Sequence, residues 1–169
     1  MTAPALTGSP CTVHDADGAV VAAAPSAWLE APAIAVGRAI TSLRADDWSP
    51  RYLVVDLRLR AQACGMLRLR VFGRAGGDPF MILLGLIPGL RTRLSLDLDI
   101  LDGQSVFLRR HPGLLKGVAF GRRLRRDEID RIELALDDAG ETQELAMGVP
   151  HLSAVDAPWV DARAPQAAA

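Results

Sequence analysis

The sequence is poor in aromatic residues, in cysteine and in long apolar runs, and each shortage closes off a class of protein. Only 5% of its 169 residues are aromatic, which leaves few flat rings for stacking on a ligand. Two cysteines, Cys11 and Cys64, are too few for a disulfide scaffold and lack metal-ligand spacing. Two reduced, partly buried thiols are expected, with one bridge between them left open. No apolar stretch reaches the roughly 18 residues of a membrane span, and the longest, Pro79 to Gly89, is cut by Gly85 and Pro88. Met1 to Pro10 has neither the basic start nor the apolar centre of a secretory leader, so a cytoplasmic location is expected. Nucleophile elbows and phosphate loops are missing too. Gly8-Ser9 and Cys64-Gly65 lack a strand-turn-helix setting, and Gly73 to Gly77 has no Lys-Ser/Thr and no following helix.

What the chain has is alternation. Tyr52-Leu53-Val54-Val55-Asp56-Leu57-Arg58-Leu59-Arg60 switches between apolar and polar residues with a period of two. Leu67 to Val71, Arg93 to Leu98 and Arg131 to Leu136 repeat the pattern. Successive strand side chains point to opposite faces, so such segments build an antiparallel sheet with one dry face and one wet face. Several of them in a chain of this length predict an all-β fold: an antiparallel β-sandwich with at most one or two short helical turns. Residues 31–153 form that sandwich. Residues 1–30 form an N-terminal segment, partly ordered or carrying first strands, and residues 154–169 a frayed, Pro- and Ala-rich tail.

Turn signals place the strands. Asp17-Gly18 separates weak β segments, and Ala31 to Trp48 reads as two short strands, with a helical turn as the alternative. Ser49-Pro50 precedes the strand Tyr52 to Ala61, Gln62 to Gly65 turns, and Met66 to Phe72 returns. Gly73 to Asp78 is a hairpin loop before Phe80 to Leu86. That strand is apolar on both faces, as expected of one covered on both sides or lying at a subunit contact. Arg91 to Leu98, Ser105 to Leu108 and Gly117 to Phe120 follow. One helical turn is expected near Asp127, then strands Arg131 to Asp137 and Glu144 to Val149.

Charge is segregated along the chain. Arg109 to Arg126 carries six arginines and one lysine with no acid, whereas ten acids and two arginines follow from Asp127 onward. A sequence pI near 6.3 argues against nucleic acid as a partner. Asp97, Asp99 and Asp102 are the best acid/base candidates, because two carboxylates on one strand face can hold one raised pKa. They sit on the polar half of a strand running into a turn, so solvated or turn residues are the simpler reading, with a small calcium site as the alternative. His14, His111 and His151 lack ligand spacing, and His111 falls in the basic turn Arg109 to Pro112. No catalytic set, metal site or cofactor emerges.

From Trp48 to about Asp156 the chain resembles the carbohydrate-binding-module-like domain found ahead of agarase-like glycoside hydrolase domains. The resemblance rests on Leu86-Ile87-Pro88-Gly89-Leu90-Arg91-Thr92-Arg93, on Leu101-Asp102-Gly103-Gln104-Ser105-Val106-Phe107-Leu108, on Leu115-Lys116-Gly117, and on Phe120-Gly121-Arg122-Arg123-Leu124 leading into Asp127 to Ile132. His151-Leu152 in the final strand also fits the pattern. The resemblance implies a jelly-roll sandwich that associates with a polysaccharide or oligosaccharide and performs no chemistry. The expected face would combine Trp48, Tyr52, Arg58 and Arg60 with Arg68, Arg70 and Phe72, if the two strands are neighbours. Arg109 and His111 would come from the adjoining turn. A solvated face with arginine stems over apolar surface is the plainer alternative. An accessory domain or subunit is therefore expected, or else an assembly subunit that docks on a separate glycoside hydrolase chain or forms a homo-oligomer.

Overall fold

A computed structural model describes residues 3–103, 105–107, 110–137 and 143–161. Among these residues the chain forms fourteen strands and two short 3₁₀ turns. The strands are β1 (Ser9–Pro10), β2 (Thr12–His14), β3 (Ile34–Val36), β4 (Thr41–Arg44), β5 (Tyr52–Arg60), β6 (Gly65–Gly73) and β7 (Phe80–Leu86). They continue with β8 (Arg91–Asp97), β9 (Ser105–Phe107), β10 (Val118–Phe120), β11 (Ile129–Asp137), β12 (Glu144–Met147), β13 (His151–Ser153) and β14 (Trp159–Asp161). The 3₁₀ turns are Leu98–Asp102 and Arg126–Glu128, the second where a helical turn is expected around Asp127. No helix of the described residues is long and apolar enough to cross a membrane.

Two antiparallel sheets result, so the fold is an all-β sandwich. In sheet A, β5 is central, pairing with β8 on one side and with β12 and β13 on the other; β14 extends β8, β1 extends β13, and β3 extends β12. Sheet B runs β2-β4-β11-β6-β7-β10-β9. The odd residues Leu53, Val55, Leu57 and Leu59 of β5 enter one core with Leu67, Leu69 and Val71 of β6, Phe80, Ile82 and Leu84 of β7, Leu94 and Leu96 of β8, and Ile132, Leu134 and Leu136 of β11. The period-two pattern thus fills the space between the sheets as expected.

Four expectations need correction. The strands β5 and β6 are not neighbours: β5 lies in sheet A and β6 in sheet B. Residues 61–64 form an arch between the layers, and a Cβ at Gly65 beyond it would stand 3.0 Å from Leu59 Cδ2. The outer face of sheet A is not wet, for Val54, Asp56, Arg58, Arg91, Arg93 and Ser95 are all buried. Asp97 and Asp99 do not share a strand face, because β8 ends at Asp97, whose carboxylate accepts from the Asp99 backbone N–H (3.0 Å) and caps the 3₁₀ turn. Residues 154–169 are not frayed throughout, since β14 pairs with Arg91 to Arg93.

Both cysteines are free. Cys11 lies in the core, where burial pushes its thiol up from 9.0 to about 12, while Cys64 is exposed on the arch. Thiolate is the reactive form, so Ellman's reagent at neutral pH should titrate one thiol in the native protein and two in urea. Rapid reaction of both in the folded chain would refute the buried position of Cys11. Above pH 9 the unfolded chain alone ionises this thiol, so its contribution to stability is lost progressively toward pH 12.

Candidate functional site

Among the described residues the buried aspartate and arginine side chains, Asp56, Arg58, Arg91 and Arg93, all lie on the outer face of sheet A. In the β5–β8 register Asp56 lies opposite Arg93, and Arg58 opposite Arg91. Arg93 binds Asp56 through two hydrogen bonds, Nε to Oδ1 (2.8 Å) and Nη2 to Oδ2 (3.1 Å), with both side chains almost fully buried. Its remaining Nη1 donates to the Pro4 carbonyl (2.6 Å), which ties the N-terminal segment over the sheet. Two like charges directly opposite each other on a sheet repel. Arg58 and Arg91 are reconciled by separate acceptors. Arg58 donates to the carbonyls of Gly89 (3.1 Å) and Trp28 (2.8 Å); Arg91 donates to Glu30 Oε2 (3.1 Å) and lies 3.7 Å from Asp56 Oδ2.

Two tryptophans stand on this charged row. The Arg60 guanidinium lies over the Trp28 ring, 4.7 Å from its centroid, and Arg91 lies 5.3 Å from the centroid of Trp159 on β14. Both rings are half-buried, while Glu30 is exposed. Trp28, Trp159 and Glu30 come from the two terminal segments, so no strand pattern points to them. Their signal in the sequence is negative: two large rings outside every core-forming strand need some other surface to cover.

The residues expected to bind are thus dispersed. Trp48 is 2% exposed and belongs to the core; it cannot stack on a ligand. Tyr52 is half-buried, with the Arg51 guanidinium 5.5 Å from its ring. Arg58 and Arg60 join Trp28 on sheet A. Arg68 and Arg70 lie on the opposite side of the sandwich, paired with Asp137 (3.3 Å) and Glu133 (2.8 Å), and Phe72 is covered there by Arg131 at 4.1 Å. His111 is buried rather than a loop-tip residue, with Nε2 3.0 Å from the Ser95 carbonyl; a carbonyl only accepts, so the proton sits on Nε2. Arg109 lies outside the described residues.

The acid/base candidates are tied up as well. Asp97 pairs with Arg51 at 2.8 Å, and Asp99 pairs with Arg51 at 3.3 Å and with Arg126 at 2.9 Å. Asp102 lines an open cavity of about 320 Å³ with Ser49, Leu124 and Arg125. Among the described residues no three His, Cys, Asp or Glu side chains are grouped to hold a metal ion. No protein-family model matches this chain, and no curated protein or solved structure matches it either.

Removing one member of a buried ion pair leaves the other uncompensated. Asp56→Ala should therefore cost about 3–5 kcal/mol in urea unfolding, against about 0–1 kcal/mol for the half-exposed Arg68→Ala. Equal losses would show that Arg93 finds other solvation when Asp56 is gone.

Proposed function

We propose that the protein is a non-catalytic, carbohydrate-binding-like accessory domain that meets an oligosaccharide or polysaccharide on the outer face of sheet A. The observation that carries this reading is the row Trp28–Arg60–Glu30–Arg91–Trp159. It offers two half-buried indole rings beside the Arg60 and Arg91 guanidinium groups and the exposed Glu30 carboxylate. Sugars need flat apolar surface for their C–H faces and rigid polar groups for their hydroxyls, and such a row supplies both. Of these arginines Arg91 is already held by Glu30 and Asp56, and the adjoining Arg58 by the Trp28 and Gly89 carbonyls, so ordering these two costs little at binding. The non-catalytic part is supported by Asp97 and Asp99, each neutralised in ion pairs. The resemblance to domains ahead of agarase-like hydrolases, with the jelly-roll topology it implies, points the same way, and an associated glycoside hydrolase chain is the natural partner.

Intrinsic fluorescence titration across a panel of neutral and charged polysaccharides tests the proposal. A binding polymer should change the tryptophan emission saturably. Trp28→Ala and Trp159→Ala should each weaken binding about tenfold, the equivalent of roughly 1.4 kcal/mol, while Trp48→Phe should leave affinity unchanged. Identical affinity in all three variants would remove the site from sheet A.

A second reading, assembly of two copies, is favoured by the outer face of sheet B. Nothing in the described chain roofs that face. Its β4–β11–β6 half is a ladder of paired charges, Arg44–Asp130, Arg131–Glu133, Arg70–Glu133 and Arg68–Asp137. Its β7–β10 half is apolar, with Met81, Leu83 and Val118 half-buried and Met66, Leu115 and Phe120 more than a third exposed. A face carrying both charge signs beside an apolar stripe can meet its own copy across a two-fold axis. Light scattering should then give a dimer mass that falls to monomer in Leu83→Asp; a monomer at all concentrations would exclude this assembly.

A further inference from the structure

The most highly charged segment of the chain, Arg122-Arg123-Leu124-Arg125-Arg126, sits at one end of the sandwich and divides two cavities. Leu124 is its anchor. Its N–H donates to the Leu101 carbonyl (2.9 Å), and its side chain packs so closely on Gly73 that a Cβ there would lie 2.8 Å from Leu124 Cδ1. Leu124 and Asp127 line both cavities, one of about 320 Å³ and one of about 220 Å³.

The two cavities differ in what their arginines are already doing. Around the larger one, Arg126 is committed to Asp99 at 2.9 Å and to the Ser49 carbonyl, and Arg125 to Asp127 at 3.4 Å. Around the smaller one stand Arg74 of the β6–β7 loop together with Arg122 and Arg123, all three exposed. None of them forms an ion pair with a described residue. Asp127 and Glu128 share this lining but are engaged by Arg125, whose backbone N–H also donates to Glu128 Oε2 at 2.8 Å. Asp78 is then the one uncommitted carboxylate facing three uncommitted guanidinium groups. Arg122 is held over the loop because Gly77, at φ +93°, has no side chain: a Cβ would lie 2.6 Å from Arg122 Nη1.

From this arrangement we infer that the smaller cavity is a binding site for one oxyanion group, a sulfate, phosphate or carboxylate, gripped by Arg74, Arg122 and Arg123. Guanidinium forks match such oxygens in pairs, and charge-assisted bonds of this kind are the strongest available to a side chain. The cavity, about 220 Å³ and open to solvent, has room for an anionic group and part of the molecule that carries it. The site lies in the end loops, apart from the tryptophan row of sheet A, so its occupancy does not depend on that surface.

The test uses the whole chain and follows the arginine Nε–H signals by NMR. The ligands are sodium sulfate, sodium phosphate, a hexose 6-sulfate and the unsulfated hexose. The expected result is a saturable shift confined to Arg74, Arg122 and Arg123 with the anions and none with the neutral sugar. Arg122→Gln/Arg123→Gln should weaken binding at least tenfold, and Arg125→Gln should weaken it less. These side chains are on the surface, and a thermal melt of each variant checks the fold. Tighter binding of the sugar sulfate than of inorganic sulfate would assign the natural ligand to a charged saccharide. Equal binding would assign it to a free anion, and both uphold the site. Absence of any saturable shift, or full affinity in the double variant, overturns it.

Discussion

The buried pair between Asp56 and Arg93 is the interaction on which the outer layer of the molecule depends. It joins the middles of β5 and β8, and it leaves one Arg93 nitrogen to draw the Pro4 carbonyl onto the sheet. With Asp56 in place, Arg91 can sit 3.7 Å away and still reach Glu30. Burying such charges is expensive, and the cost falls only when every donor has an acceptor. The terminal segments provide several of those acceptors, the Pro4 and Trp28 carbonyls and the Glu30 carboxylate, while Arg91 Nε is buried without one. These polar groups hold the segments over sheet A in addition to the apolar contacts that Cys11 and Val13 make in the core.

The two outer faces consequently behave as different materials. Sheet A presents arginines already locked, flanked by indole rings and an exposed carboxylate. Sheet B presents charge ladders on one half and an apolar stripe on the other, with nothing from the described chain laid over either. A rigid polar row suits recognition of a hydroxyl-rich ligand, since little rotamer freedom is lost on contact. An open stripe ending in Phe120 and Leu115 gains most from a partner that removes it from water.

The interior of this fold was readable from the sequence, and its exterior much less so. Alternation assigns Leu53, Val55, Leu57 and Leu59 to one side of a strand, and burial of that side follows from hydrophobicity alone. The same alternation puts Asp56 and Arg58 on the other side but is silent on whether that side meets water. That depends on where residues 4, 28 and 30 return, which is a long-range matter. Trp48 shows a related failure. Its place beside a strand start suggests a surface ring, whereas it is buried in the core with Leu98 and Leu101 of the 3₁₀ turn after β8. At the start of that turn, the carboxylate of Asp97 favours an Asx-type cap over strand continuation, a local competition that alternation does not register.

One missed feature did leave a trace, and it governs how the arginines are distributed. The connection between β5 and β6 has four residues, Ala61 to Cys64. In a hairpin closed by it, Arg60 would face Gly65 and Arg58 would face Leu67, setting polar against apolar side chains all along one face. Slipping the register by one residue restores the faces, placing Arg58 opposite Arg68 and Asp56 opposite Arg70, so one repulsive and one attractive pair would result. The arch instead turns both apolar faces inward and sends the two sets of arginines to opposite surfaces. Arg58 and Arg60 then find carbonyls and an indole ring on sheet A, while Arg68 and Arg70 find Asp137 and Glu133 on sheet B. The separation of the two surfaces, and with it the division between a polar row and a ladder beside an apolar stripe, follows from this crossing between sheets.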